Sequence, residues 1–355
     1  MHNMPRYVIL TLLLALGLPL FGQSQSAQPR RGEGIGTFLI RLGRPGQAYY
    51  KEFLELNKRK LRGKEELLLG VSYLIPDKKG QKTSNATTAK ASSTPAKTET
   101  SAASNTSNGE FNEPLFGTKL AKGKIESNKL KGACFYVVSG HGGPDPGAIG
   151  RVNNHELHED EYAYDVALRL ARDLMQEGAE VRIIIQDAKD GIRDDQYLSN
   201  SKRETCMGTA IPLNQTERLK QRCDKINALY EKDKKQYKYC RAIFIHVDSR
   251  NKGQETDVFF YHADGNQSGR ALAKTMQQTF KAKYQQYQPG RGFGGSVGPR
   301  SLYVLRNATP TSLFVELGNI QNSHDQKRFV LNSNRQALAN WLLEGFIKDF
   351  NNQKR

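Results

Sequence analysis

The stretch ACFYVVSGHGGPDPGA, residues 133–148, decides the fold class of this chain. Its first six residues form an uninterrupted apolar run, which is typical of a strand buried on both faces of a sheet. The run stops at Ser139-Gly140, and four glycines surround the histidine that follows, His141. Glycine leaves space beside the backbone for a ligand, so the sequence predicts a functional histidine at the end of this strand.

From Phe111 to the C-terminus, apolar strand-like runs alternate with amphipathic helical runs. The pattern predicts strands at 133–138, 181–185, 242–247, 258–261, 302–305 and 313–317. It predicts helices at 161–176, at 268–284 and at about 334–350, and a further helix that Asn214 caps. Strands separated by helices indicate an α/β fold with a mostly parallel sheet flanked by helices, in which functional residues follow the carboxyl ends of the strands.

A second histidine, His246, lies near the end of the strand predicted at 242–247. Two neutral imidazoles at neighbouring strand ends suit Zn²⁺, which then needs a third protein ligand and an open position. The segment 154–160 offers three candidates for that ligand: His155, His158 and Glu159. A carboxylate at the start of a helix also stabilises the helix dipole, so the residues alone leave the choice open.

The strand at 313–317 carries an acid, Glu316, among apolar residues. A buried carboxylate is costly unless it is paired or functional. One interpretation is a structural ion pair. The other is a general base that takes a proton from water at a metal site.

Several motifs in this region resemble those of the zinc-dependent N-acetylmuramoyl-L-alanine amidases of type 3. They are Gly140-His141-Gly142-Gly143-x-Asp145-Pro146-Gly147-Ala148, Leu157-His158-Glu159, Asp165-Val166-Ala167-Leu168-Arg169-Leu170, Ile245-His246-Val247-Asp248, and the closing Leu313-x-Val315-Glu316. They occur in family order across about 220 residues, which makes the resemblance specific. One departure is Val138-Ser139 before the Gly-His pair, where the family usually has Asp-Pro; a carboxylate that would orient the histidine is then missing from its usual place.

The resemblance implies a role for each candidate residue. His141, Glu159 and His246 become the zinc ligands and Glu316 the catalytic carboxylate, while His155 and His158 lie outside the site. The implied activity is a peptidoglycan hydrolase that cleaves the amide bond between N-acetylmuramic acid and L-alanine of the stem peptide, by zinc-activated water with a glutamate general base. Two alternatives stay open: another zinc-dependent cell-wall peptidase, and an inactive peptidoglycan-binding protein. Besides peptidoglycan, a protein activator in the envelope is a further candidate partner.

The N-terminal third of the chain has three differently composed parts. Residues 1–25, with Arg6 ahead of an apolar run, are typical of a secretory signal peptide and too short for a stable membrane span. Residues 33–76 resemble a LysM domain, on Leu56-Asn57 and on Gly70-Val71-Ser72-Tyr73-Leu74-Ile75-Pro76, which implies binding to glycan strands rich in N-acetylglucosamine. Residues 77–110 are rich in Ser, Thr, Ala, Asn and Lys, and this composition predicts a flexible linker to the catalytic domain at 111–355.

The chain has 53 Lys and Arg against 36 Asp and Glu, a formal net charge of +17. Such a charge would first indicate a nucleic-acid partner, but an exported protein meets anionic polymers of the envelope instead. We therefore expect no nucleic-acid partner and a location in the periplasm or cell envelope. The four cysteines permit disulfides in that compartment. Cys206 and Cys223 are the better candidates for one, whereas Cys134 and Cys240 open apolar runs and resemble buried thiols.

The glycine-rich segment Gly290 to Gly298 allows two interpretations. It is either a mobile flap over the substrate groove or a solvated turn.

Overall fold

The computed structural model describes residues 26–29, 35–44, 47–61, 67–68, 70–77, 109–247 and 257–353. The chain divides into two compact units, residues 1–91 and 92–355. The signal peptide expected at 1–25 and nearly all of the expected linker lie outside the described residues. No helix of the described segments is long and apolar enough to cross a membrane.

The first unit is a strand–helix–helix–strand arrangement. Its elements are β1 Ser26–Ala27, α1 Ile35–Arg41, α2 Gln47–Leu61 and β2 Tyr73–Leu74. The two short strands pair antiparallel, and the aromatic rings of Phe38, Phe53 and Tyr73 form the centre of a small core. Asn57, which is buried, joins α2 to β2, because its amide accepts from Leu74 N and donates to Leu74 O, each at 2.8 Å. Helix α2 continues beyond the Leu56-Asn57 pair to Leu61, and β2 takes up two residues of the segment 70–76.

The second unit contains thirteen strands, six α-helices and one short 3-10 helix, Pro114–Phe116, within its described residues. The strands are β3 Glu110–Asn112, β4 Lys122–Lys124, β5 Ala133–Ser139, β6 Ile149–Val152, β7 His155–His158, β8 Glu180–Ile183, β9 Ile185–Gln186, β10 Thr205–Cys206, β11 Thr209–Ala210, β12 Tyr239–His246, β13 Phe259–His262, β14 Val297–Pro299 and β15 Thr311–Glu316. The helices are α3 Glu159–Gln176, α4 Gln215–Asp233, α5 Gln267–Tyr287, α6 Tyr303–Asn307, α7 Ser323–Val330 and α8 Asn332–Gln353.

The central sheet has six strands in the order β14-β13-β15-β12-β5-β8. Strands β15, β12, β5 and β8 are parallel to one another, and β13 runs antiparallel to β15. Helices α3, α5 and α8 share one hydrophobic core with one face of the sheet, while α4 and α6 contribute to a second core on the other face. The predicted α/β fold with a mostly parallel sheet flanked by helices is confirmed.

One predicted strand is wrong, and another is divided between two sheets. Residues 302–305 belong to a short helix, α6, which buries Val304 and Leu305; an apolar run of four residues does not distinguish a strand from a buried helical turn. The strand expected at 181–185 is interrupted, because Ile183 ends β8 in the central sheet whereas Ile185 pairs with β10 in a separate three-stranded sheet.

The disulfide expected between Cys206 and Cys223 is also wrong. All four cysteines are free and buried. Cys206 lies on β10 and Cys223 on α4, and both side chains pack in the same hydrophobic core. They therefore act as small apolar side chains, as the sequence predicts for Cys134 and Cys240.

The glycine-rich segment is tied to its neighbours rather than free along its length. Gly294 N donates to Asp257 Oδ2 at 2.5 Å, and Gln277 Nε2 donates to Gly295 O at 2.8 Å. Its last residues form β14, which pairs with β13. Gly290 and Gly292, with φ of 84° and 81°, form the turn itself.

Candidate metal centre

The candidate site lies where β5, β12 and β15 end. Ser139 pairs with Ile245, and His246 pairs with Glu316, so the three parallel strands end at nearly the same level. Two backbone hydrogen bonds continue this register, from Gly140 N to Ile245 O at 2.7 Å and from Leu317 N to His246 O at 2.9 Å. The topology therefore brings His141, His246 and Glu316 to one edge of the sheet, as the carboxyl ends of parallel strands predict.

Helix α3 supplies the third residue of the cluster. Glu159 is its first residue and is 3% exposed. Glu159 Oε2 lies 3.3 Å from His141 Nε2, and Glu159 Oε1 lies 3.0 Å from His246 Nδ1. One ligand atom from each of these three residues lies within 4.8 Å of the others, so they could hold a single metal ion.

The backbone fixes this carboxylate in place. Ala148 N donates to Glu159 Oε2 at 2.8 Å, and Val247 N donates to Glu159 Oε1 at 3.0 Å. The backbone N–H of Glu159 itself donates to Ala148 O at 2.9 Å. Both carboxylate oxygens are thereby oriented toward the two imidazoles.

Two glycines make room for the cluster. A Cβ at Gly140 would lie 2.4 to 2.7 Å from atoms of the His246 ring. A Cβ at Gly147 would lie 2.7 Å from both Glu159 Oε2 and the His141 ring, and Gly147 also has a positive φ of 68°. Real Cβ atoms do not approach so closely, so both glycines are required for the close packing of the three side chains.

Asp145 orients His141. Its Oδ2 lies 3.0 Å from His141 Nδ1, and the same oxygen accepts from Arg218 Nη2 at 2.7 Å. Because Asp145 holds Nδ1, the nitrogen that faces Glu159 is Nε2, which is the one available to bind a metal ion. Val138-Ser139, before the Gly-His pair, offers no carboxylate to orient the histidine; the structure has one four residues after His141. The Asp-Pro-Gly turn in the glycine-rich loop is the signal that could have identified it.

The charges around the cluster favour a cation. Burial alone would lower the pKa of His141, but the Glu159 and Asp145 carboxylates outweigh it and raise this pKa to about 10. Against the effect of burial, His141 and His246 hold the pKa of Glu159 well below its usual range. Burial, with the charge of His141 as a further cause, lowers the pKa of His246. Two imidazoles and one ionised carboxylate are a donor set that fits Zn²⁺.

Glu316 lies beside this cluster at the end of β15. It is 5% exposed and is the direct neighbour of His246 across the sheet. Directly paired residues on adjacent strands point to the same face of the sheet. The His246 ring also stacks on Phe314, which is on β15 two residues before Glu316, with ring centroids 4.4 Å apart. The carboxyl group of Glu316 therefore lies on the face that carries the histidine.

His155 and His158 are on β7, where they are the first and last residues of the strand. The His155 ring stacks on Tyr197 with centroids 3.9 Å apart, and His158 Nε2 lies 3.0 Å from Asn200 Nδ2. Neither belongs to the metal-competent cluster in the described part of the chain. Asn153 and Asn154 have positive φ angles and form the hairpin turn between β6 and β7. A pair of asparagines between two strands is a sequence signal for such a turn.

A group of three acids, Asp160, Glu161 and Glu204, adjoins the loop at 140–148 that carries His141. Glu204 accepts from Gly143 N at 2.8 Å, and Glu161 pairs with Arg193 at 2.9 Å. Burial, together with the nearby charges of Glu161 and Glu204, raises the pKa of Asp160 to about 8. These contacts hold the loop that carries His141.

The fold and the cluster together define a class: α/β proteins with a His-Glu-His donor set for one metal ion at the carboxyl edge of a mostly parallel sheet. Residues 136–348 match the family described as N-acetylmuramoyl-L-alanine amidase, and the chain belongs to that family. The resemblance seen in the sequence is thereby confirmed, and zinc dependence is general in this family.

The chain is similar to the probable cell wall amidase LytH of Staphylococcus aureus, at 27% identity over 228 residues. The match covers 64% of this chain and 61% of that protein, so it spans less than two thirds of the relative's length.

Solved structures of amidases are also similar. The amidase from Clostridium difficile 630 is 18% identical with a TM-score of 0.45, and the match covers 63% of this chain and 98% of that one. AmiC2 of Nostoc punctiforme is 21% identical with a TM-score of 0.42, covering 62% of this chain and 97% of that one.

Proposed function

We propose that this chain is a zinc-dependent peptidoglycan hydrolase that cleaves the amide bond between N-acetylmuramic acid and L-alanine of the stem peptide. The observation that carries this proposal is the convergence of His141, Glu159 and His246 beside Glu316, in a chain of the amidase family. His141, Glu159 and His246 would hold the ion. When bound, Zn²⁺ supplies a Lewis acid that polarises water and the carbonyl of the scissile amide.

Side chains and backbone groups of the protein would transfer the proton and hold the metal ligands in position. Glu316 would take a proton from the attacking water and return it to the L-alanine nitrogen as that nitrogen leaves. Its burial at the strand end keeps the carboxylate next to His246. Asp145 and Arg218 would hold the His141 ring in the orientation that presents Nε2. The backbone N–H groups of Ala148 and Val247 would keep Glu159 in place.

We also propose that the first unit binds the cell wall. The β1-α1-α2-β2 order and the Asn57 bridge between α2 and β2 support a LysM-like domain. A leader at 1–25 and a flexible linker would place the catalytic unit in the cell envelope, tethered to its substrate. A tether raises the effective concentration of the catalytic unit at the wall without any new contact in the active site.

One experiment with two substrates tests both parts. The full mature chain and a chain lacking residues 26–77 are incubated with soluble muropeptides, and the products are identified by mass spectrometry. We expect intact stem peptides with a free L-alanine amino group from both proteins. Fragments cut within the stem peptide would instead indicate a peptidase, and no release would indicate an inactive wall-binding protein.

The same two proteins are then sedimented with intact sacculi. We expect the shortened chain to bind less, because it lacks the tether to the glycan. Equal binding by both proteins would contradict the wall-binding role of the first unit, while leaving the amidase proposal intact.

A further inference from the structure

A second groove lies in the same unit, between the last turn of α5 and the first half of α8. It has a volume of about 470 Å³, and its walls include Tyr284, Tyr287, Gln288, Asn334, Asn340 and Trp341. None of the residues assigned to the metal cluster or to proton transfer lines it. The groove is therefore distinct from the candidate metal centre.

The floor of the groove is aromatic. Tyr287 is 61% exposed, although it is a large side chain. Its ring is nearly parallel to that of Trp341, with an interplanar angle of 13° and centroids 6.1 Å apart. The rings of Tyr284 and Phe280 lie edge-on to the indole, each with its centroid 5.5 Å from that of Trp341, and hold it in place. Tyr287 thus adds a largely exposed ring to the half-buried indole of Trp341, and the pair forms a preformed aromatic surface in the groove.

The rim of the groove is polar and free of carboxylates among its lining residues. Gln288 and Asn334 offer amide donors and acceptors, and Asn334 Nδ2 is oriented by a hydrogen bond to Lys327 O at 2.8 Å. The charge of Arg328 is shared with Asp257 at 3.0 Å and Asp325 at 3.2 Å. Flat apolar rings flanked by neutral amides match the two surfaces of a sugar, whose C–H face stacks on aromatic rings while its hydroxyl and acetamido groups hydrogen-bond.

Arg328 connects this groove with the edge of the sheet that carries the candidate site. Its Nη1 lies 3.4 Å from Leu317 O, the residue after Glu316. Its guanidinium also lies 5.6 Å from the centroid of the Tyr284 ring in the groove wall. The groove therefore lies near the end of β15 that carries Glu316, on the side of the sheet against which α5 and α8 pack.

We propose that this groove binds an N-acetylated amino sugar of a glycan strand, with Tyr287 and Trp341 as the stacking surface. The choice of glycan rests on the proposed peptidoglycan amidase function, because the substrate of that reaction is itself such a strand. Binding here would hold the catalytic unit on the glycan strands of the cell wall.

Trp341 is the only tryptophan of the chain, so its fluorescence reports on this groove alone, even if the first unit also binds sugars. The full chain is titrated with the tetramer of N-acetylglucosamine, which has no stem peptide and is not a substrate of an amidase. We expect a saturable change in tryptophan fluorescence. Tyr287→Ala should weaken the binding seen in this signal at least about tenfold, as expected for an anchor residue.

Two further variants make the test specific. Ala337→Leu keeps both rings but fills the groove, since Ala337 lines it on α8, and it should also weaken binding. Leu331→Ala, an exposed apolar residue outside the groove, should change the affinity by no more than about twofold. Circular dichroism and Tm would verify that all three variants are folded.

The inference would be overturned if the tetramer leaves the fluorescence unchanged, or if the titration is insensitive to both Tyr287→Ala and Ala337→Leu. Its failure is separable from failure of the amidase proposal. Peptide release without a fluorescence response would refute only the groove, whereas a normal titration in a protein that releases no stem peptides would refute only the amidase activity.

Discussion

The two faces of the central sheet carry different kinds of residues at corresponding positions. Toward α3, α5 and α8, the strands present fully buried aliphatic and aromatic side chains such as Val137, Ile245 and Val315. On the other face, the same strands end in Gly140, His246 and Glu316. The alternation of side chains along a strand allows one sheet to serve both purposes.

This difference shows which face of the sheet contributes mainly to stability and which face carries the candidate metal centre. The first face is a continuous core, in which any lost volume leaves a cavity. The second face gives up packing at the strand ends: Gly140 supplies no side chain, and the space beside it accommodates the His246 ring. We therefore expect substitutions on the first face to change unfolding free energy and substitutions around the cluster to change metal binding.

The largest expected change in the free energy of unfolding is on the face of the sheet that packs against α3, α5 and α8. Leu342→Ala removes a fully buried side chain of α8 and should lower the free energy of unfolding by about 2 to 5 kcal/mol. The matched control is Leu331→Ala, at a residue 46% exposed, which should change it by less than about 0.5 kcal/mol. Chemical denaturation measures both. A folded Leu342→Ala protein with wild-type stability, or one that no longer binds zinc, would break the proposed separation of the two faces.

A smaller effect is expected from the residue that orients His141. Asp145→Asn removes the negative charge that lies beside His141 Nδ1 and weakens the ion pair with Arg218. Losing such a partner of a metal-binding histidine typically costs about 10- to 100-fold in metal affinity. Competition with a fluorescent zinc chelator would measure this, with Asp224→Asn as a control on an exposed carboxylate. Unchanged affinity in Asp145→Asn would show that Arg218 and Asp145 only hold the loop.

Long and strongly patterned elements were predictable from the sequence. The strand expected at 133–138 is β5, the helix capped by Asn214 is α4, and Asn214 accepts from Glu217 N at 3.0 Å. Gly178, with φ of 83°, follows the end of α3 as its position predicts. In these cases local signals and tertiary packing favour the same structure.

Other features depend on contacts that no local pattern specifies. Asp145 is part of a local Asp-Pro-Gly turn, but the Arg218 side chain that pairs with it comes from the distant helix α4. The groove at Tyr287 and Trp341 requires α5 and α8 to pack side by side. The helix at 303–307 was read as a strand, because an apolar run this short fits either conformation. Contacts between distant residues therefore account for the groove and for the Arg218 partner, whereas the short helix was missed because its local pattern is ambiguous.

The zinc content of two variants, measured beside kcat, tests the central claim most directly. Glu159→Ala removes a proposed ligand, so it should lose zinc and activity together. Glu316→Gln removes the proposed base but no ligand, so it should retain one zinc per chain and its fold while kcat falls by about 100- to 10,000-fold. Loss of zinc from Glu316→Gln and its retention by Glu159→Ala would reverse the two roles. Full activity in both variants would contradict the assignment of this cluster as the active site.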